Sequence, residues 1–448
     1  MRRRKFRSLL AGLAAAVSIS GAAVAFTPSP ALAIAVPPCD DHAVYWNDVL
    51  LAAYRSVGGA PTVLSRAGAM MHLAMYDTAV SLGMTGTPYI AKVPKSSEFD
   101  YDTIANYDTA AFRMLQNVFP SFDFSQYFTV ARQGCPKVEP GPKGFSTDVA
   151  TTVVQNIMNA RANDGSATTT GYTPQIVAGQ WRPTDGNSAV TPNWGLVKPF
   201  ALTSGSQFRP PLPGGFSTIS AMLTSSAYAT QVNEIKRIGS ATASTADRTA
   251  DQTTAAFFWA NDLNGTYKPP GQLYKITQIV ANARTGTNKI KLFALVSLAM
   301  ADAAITAWDA KYDTSIDLWR PETAIHEPQS DNNSATTPDG SWQPLSVDRN
   351  GVHFSPAFPA YISGHATFGA AWAGIMKRYY GTDAVTFTAT TEDPQASGVT
   401  RTFTSFSAAA TEDALSRLWL GVHYRWDAEY GLSSGDNVAN YVFANYLR

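Results

Sequence analysis

Apolar residues recur at three- and four-residue spacing along much of the chain. Val63, Leu64, Ala67, Met70, Met71, Ala74 and Met75 form one stripe, Ser65 and Arg66 lie off it, and Gly83 ends it. That pattern predicts a core-facing helix over 65–81. Similar stripes predict helices at 44–54, 105–118, 147–162 and 255–263. Residues 290–308 are apolar on most faces, as expected of a helix at the centre of a bundle. Phe368, Ala371, Trp372, Ile375, Met376 and Tyr379 make a later stripe, stopped by Gly381.

The intervening stretches read differently. Residues 168–213 are rich in Thr, Pro and Gly and carry Trp181 and Trp194, the composition of a long structured loop. Residues 240–254 are biased to Ser, Thr and Ala yet compatible with a helix, and 328–344 read as an exposed polar loop. The β-branched, Thr-rich run 385–407 predicts a short hairpin. No repeat of fixed period is present. The expected fold is all-α, one or more large helical bundles with minor short β-hairpins. Its expected organisation is 1–33, 34–285 and 286–448, the last two sharing one core.

Composition narrows the class. The chain has 448 residues, 45% of them hydrophobic, enough for one large core or two fused ones. A formal net charge of zero argues against a nucleic-acid partner. Arg2, Arg3, Arg4, Lys5 and Arg7 precede an apolar stretch over 9–26, and Ala31-Leu32-Ala33 follows. This is the pattern of an export signal, by the general or the twin-arginine route, and it implies a secreted protein. Removing it leaves 29 basic against 34 acidic residues, about −5 net. No later stretch is expected to span a membrane, since the apolar run 292–301 meets Asp302 after ten residues. Cys39 and Cys135 are expected to pair in an exported protein.

Three segments of the last third carry candidate chemistry. In the first, Lys311 stands near the end of the buried helix and Arg320-Pro321 follows in a loop. Arginine offers a rigid fork for two oxygens of an anion, lysine a mobile point charge. Pro321 biases Arg320 away from helix. In the second, Ser363-Gly364-His365 opens a helix, Ser363 placed as its N-cap and Gly364 presenting its N–H to an anion. In the third, Arg417 and His423 are six apart and would diverge by roughly 120° on one continuous helix. They can converge only if the helix breaks, and Gly421 is the natural place. Asp427, four beyond His423, can then hold one ring nitrogen and free the other.

Taken together and in this order, the segments resemble the superfamily that unites vanadium-dependent haloperoxidases with type-2 phosphatidic acid phosphatases and class A acid phosphatases. Its pattern is Lys-x6-Arg-Pro, Pro-Ser-Gly-His and Ser-Arg-x5-His-x3-Asp. The third block is matched by Ser416, Arg417, His423 and Asp427, and the second by Ser363, Gly364 and His365 with Ile362 in place of Pro. The first is matched at Arg320-Pro321, but eight residues separate Lys311 from Arg320. The long chain before the first block is similar to the haloperoxidase branch.

The resemblance implies a vanadate cofactor, in a site that phosphate can also occupy. It implies His423 as the ligand of vanadium, with Lys311, Arg320, Ser363, Gly364 and Arg417 on the oxyanion, His365 as proton shuttle and Asp427 orienting His423. It places Trp308 and Phe358 in the halide region, as in chloroperoxidases. The implied activity is oxidation of halide by hydrogen peroxide to hypohalous acid, with an organic acceptor and a homodimer also open. Two alternatives remain at this level: a secreted acid phosphatase with His423 as nucleophile, and a non-catalytic oxyanion-binding homologue.

Overall fold

The computed structural model describes residues 35–39, 41–133, 143–327 and 330–448. In chain order its helices are α1 (His42–Val57), α2 (Pro61–Leu82), α3 (Thr103–Val118), α4 (Ser125–Ala131), α5 (Asp148–Arg161), α6 (Ile219–Leu223), α7 (Ser226–Ile238), α8 (Ala250–Ala260), α9 (Lys268–Ala283), α10 (Lys289–Tyr312), α11 (Pro321–His326) and α12 (Gly364–Tyr380). Strands β1 (Phe387–Thr390) and β2 (Thr400–Phe403) follow, then α13 (Phe406–Trp419) and α14 (Arg425–Asn445). The fold is all-α, with one antiparallel hairpin pairing Phe387 with Phe403. The described residues belong to one compact unit, Ala33–Arg448, whose main apolar cluster runs from Ala43 to Leu447. The export signal read in 1–33 lies outside the described residues. Cys39 is disulfide-bonded, and its expected partner Cys135 also lies outside them.

The helix apolar on most faces is the axis of the molecule. From Leu292 to Lys311 every residue of α10 is buried, and α2, α12 and α14 pack around it. By length and composition α10 would pass for a membrane span, but it is enclosed by the bundle. Asp302, at its middle, explains why a charge is tolerated there. Its carboxylate accepts the N–H groups of Phe200, Ala201 and Leu202 at 2.6, 2.7 and 2.8 Å, pinning the long loop against the core. Gly431 and Gly435 let α14 lie against the first turn of α12, where a β-carbon would collide with Ser363 and Thr367. This contact brings the second and third sequence segments together.

Two loop expectations need correction. The described part of 328–344, residues 330–344, is not simply exposed: Asp331 and Trp342 are buried, and Trp342 donates from its indole to the Lys236 carbonyl at 2.9 Å. Most of its other residues are exposed, as expected, but Asn333 bonds inward, to the carbonyls of Leu223 and Ser225. Residues 240–249 are turns, and helix begins only at Ala250, where Thr249 and Gln252 form a capping box.

His72 is a core residue, its ring stacked on Phe293 with centroids 4.9 Å apart. Burial holds its pKa down at about 3. The folded state therefore resists a proton that the unfolded chain takes up below about 6.5, so stability from the neutral ring is intact above that pH and is lost as the pH falls. Between pH 7 and pH 5 this site should cost the wild-type protein about 2 kcal/mol. Urea unfolding at the two pH values should show that loss in the wild type and a correspondingly smaller one in His72→Leu.

Candidate active site

The cations come first because their burial is the costliest feature. Lys311, Arg320 and Arg417 are all at most 1% exposed. Lys311 sits in the last turn of α10, and its Nζ donates to the carbonyls of Pro359 and Ala360 at 2.7 and 3.1 Å. It also lies 5.0 Å from the Phe358 ring centroid and 5.7 Å from that of Trp308. The two residues by which the first segment exceeds the family spacing are absorbed between α10 and Arg320. There Asp317 turns into the left-handed region at φ 29°, and its carbonyl accepts the Trp181 N–H at 2.6 Å. Lys311 thus reaches the same cluster as the two arginines.

Arg320 caps the N-terminus of α11 in an extended conformation, as Pro321 requires. Its Nε donates to the Phe358 carbonyl at 2.8 Å, and its Nη1 to the Val422 carbonyl at 2.6 Å with His423 Nε2 at 3.1 Å. Arg417, in the last turn of α13, donates from Nη2 to Asp262 Oδ2 at 2.7 Å. Nη2 of Arg320 and both Nε and Nη1 of Arg417 are buried without a protein partner among the described residues. Burying charged donors unpaired costs several kcal/mol, and the structure accepts three such nitrogens on these two residues.

The histidines converge beside these arginines. The chain breaks after α13, Gly421 taking φ 78° where its Cα meets the backbone of Gly239 too closely for a side chain. His423 lies in the break, before α14 begins. Asp427 does not hold it as a helical neighbour: it reaches back from the first turn of α14, accepting from the Tyr424 N–H at 3.1 Å and meeting His423 Nδ1 at 2.9 Å with the same oxygen. One carboxylate therefore caps the helix and sets the ring. Ser363 caps α12, Gly364 packs under the Trp308 ring, and His365 Nε2 meets the Ala260 carbonyl at 3.2 Å. His365, His423, Gly364, Arg417, Trp308 and Phe358 line one cleft, together with Asp262, Phe368, Pro61, Pro269 and Pro356.

Electrostatics follow from this crowding. Burial and the Arg320, Lys311 and Arg417 cations hold the His423 ring well below the ordinary histidine range. Burial and Arg417 hold His365 down at about 4. Burial, with Arg320 beside it, lowers the Lys311 ammonium well below its usual value, and burial brings Arg320 down to about 9. Burial pushes Asp427 up to about 7 against the pull of Lys311 and Arg320. Lys311 and Arg320 are each destabilised by burial and by a neighbouring cation, so an anion between them would relieve both at once.

The residues read from sequence, including the aromatic pair Trp308 and Phe358, are thus gathered at one place. Asp262 and the Ala260 carbonyl, which hold Arg417 and His365, were not foreseen. The one available signal was Asn261, a residue type suited to a left-handed helix end, which places the end of α8 just before Asp262. His42 is buried against Asp108, and His326 meets the Trp342 carbonyl; neither faces the cleft.

A tetrahedral oxyanion fits this donor set, and inorganic phosphate should bind and raise the unfolding midpoint. At about 100 times its dissociation constant the gain is about 2.7 kcal/mol. Thermal melts of wild type, Arg417→Ala and His423→Ala with increasing phosphate measure it; the shift should vanish in both variants.

Residues 291–448 match the family model of the VCPO second helical-bundle domain. The vanadium chloroperoxidase of Curvularia inaequalis is 29% identical over 226 residues, 40% of this chain, and the match spans only 36% of that protein's length. A bacterial vanadium-dependent iodoperoxidase superposes with a TM-score of 0.72 at 23% identity, over 91% of this chain and 96% of that one. A holo-type bacterial vanadium-dependent chloroperoxidase does so with 0.65 at 17%, over 87% and 93%. At those identities the structural likeness is one of fold. The matched C-terminal bundle, the curated relative and the shared architecture agree in making this chain similar to vanadium haloperoxidases, the sequence match being confined to part of its length.

Proposed function

We propose that the protein is an exported, vanadate-dependent haloperoxidase that oxidises halide with hydrogen peroxide to hypohalous acid. The observation that carries the reading is the set of buried, unpartnered guanidinium nitrogens on Arg320 and Arg417, at a cleft that Arg417 and both histidines line and where Arg320 touches His423. Such donors suit a small multiply charged oxyanion and disfavour a bare cation. When bound, vanadate would supply Lewis-acid activation of hydrogen peroxide toward halide.

The chain's own residues have separable tasks. Lys311, Arg320 and Arg417 neutralise the anion's charge from fixed positions, so no reorganisation is needed during reaction. Ser363 and the Gly364 N–H add the positive end of α12. Asp427 accepts the Nδ1–H of His423 in a hydrogen bond, which leaves the lone pair on Nε2, the candidate ligand atom. That nitrogen accepts from Arg320 Nη1 at 3.1 Å and would have to exchange this bond for the anion. His365, donating from Nε2 to the Ala260 carbonyl, keeps Nδ1 as the basic nitrogen and is neutral at ordinary pH. It can accept a proton and return it. Trp308 and Phe358, their centroids 5.0 Å apart, form an apolar aromatic wall suited to a poorly hydrated halide, the feature on which the chloroperoxidase-like reading rests. The indole N–H of Trp308 is spent on the Val190 carbonyl, so the ring presents carbon to the cleft.

The test is peroxide-dependent halogenation of a dye with chloride, bromide and iodide, with and without added orthovanadate, beside hydrolysis of p-nitrophenyl phosphate. Turnover should require vanadate, be inhibited by phosphate, and fall about a hundred-fold or more in Lys311→Ala. Phosphate ester hydrolysis without halide oxidation would reassign the site to phosphoryl transfer through His423. Vanadate binding with neither activity would make it an oxyanion-binding site only.

A further inference from the structure

Resting on the oxyanion reading above, we propose that Asn261 is a positioning residue that sets where His365 and Arg417 stand, and that the β1–β2 turn buttresses the site through it. The two anchors of those side chains are the residues on either side of Asn261. The Ala260 carbonyl meets His365 Nε2 at 3.2 Å, and Asp262 Oδ2 accepts from Arg417 Nη2 at 2.7 Å. The backbone of the residue between them therefore fixes the distance and angle between one histidine and one guanidinium. That residue ends α8 in the left-handed region, at φ 42° and ψ 26°. Asparagine is among the few side chains that accept this at low cost.

The side chain of Asn261 is fully buried and is not among the residues lining the cleft. Its amide joins three elements. Nδ2 donates to Gln272 Oε1 of α9 at 2.8 Å, and Oδ1 accepts the Glu392 N–H of the hairpin turn at 3.1 Å, with Thr391 Oγ1 at 3.2 Å from Nδ2. Its own carbonyl accepts from Thr266 Oγ1 at 2.9 Å. The turn is itself anchored, since Glu392 accepts from the Tyr267 N–H at 2.8 Å and from Arg55 Nε at 2.9 and 3.0 Å. The only sheet among the described residues is thereby coupled to two residues of the cleft through one amide.

The experiment measures orthovanadate affinity by calorimetry on the purified protein, with melting midpoint and circular dichroism recorded for each variant. Asn261→Gly keeps the left-handed backbone and removes the amide; its affinity should fall about 10- to 100-fold, the range for residues that orient ligand-bearing side chains. The isosteric Asn261→Asp keeps the acceptor for Glu392 and should recover part of that loss. Thr391→Val, remote from the cleft, should weaken binding by about three-fold in the same direction, and it decides the matter if Asn261→Gly does not fold. Wild-type affinity in folded Asn261→Gly and Thr391→Val would overturn this proposal alone. Absence of vanadate binding by the wild type would overturn the oxyanion reading and this proposal with it.

Discussion

Three cations buried against one another are the constraint around which the rest of the structure is arranged. Lys311, Arg320 and Arg417 come from α10, the approach to α11 and the end of α13, and none can be solvated where it lies. Their charge is met mainly by oriented dipoles: the carbonyls of Pro359, Ala360, Phe358 and Val422 each accept from one of them. Backbone carbonyls neutralise a cation only partly, so the potential of the site stays positive while its geometry stays rigid. Of the carboxylates beside them, Asp262 pairs with Arg417, while Asp427 is hydrogen-bonded to His423. A positive, preorganised cleft inside a chain of balanced net charge is the outcome.

Much of this was legible in the sequence, and the reasons differ by element. The central helix could be read because α10 is apolar on most faces, and the hairpin because β-branched residues cluster at 385–407. The break at Gly421 could be read because Arg417 and His423 cannot converge otherwise. What escaped was information held in tertiary pairing. Helix α9 mixes Gln272, Thr277 and Gln278 into its buried face, and α7, although its buried residues Tyr228, Ala229, Val232, Ile235 and Ile238 are all apolar, is short and did not stand out in the pattern. The spacing anomaly at Lys311 could not be interpreted locally, since the extra residues are absorbed by pairing with Gly179 and Trp181, far away in sequence. Asp262 carried no motif, and its partnership with Arg417 spans 155 positions.

The division of labour between the two halves of the chain is also physical. The N-terminal helices wrap α10 and contribute few polar groups to the cleft, yet the long loop they support places Val190 under the Trp308 indole and Gly179 against Trp319. The aromatic wall is therefore held by a part of the chain that carries none of the oxyanion's candidate ligands. Changes in that loop would alter the shape of the apolar side of the cleft while leaving the cation cluster as it is.

The position of Asp427 has a further implication. Because a single oxygen both caps the backbone at the start of α14 and receives the imidazole proton, the chemistry of His423 cannot be retuned without loosening the start of the last helix of the chain. Basicity and architecture share one atom there. Substitutions that would shift the ring's electronics meet a folding penalty first, so drift in reactivity should proceed through the opposite face of the imidazole, where Arg320 stands.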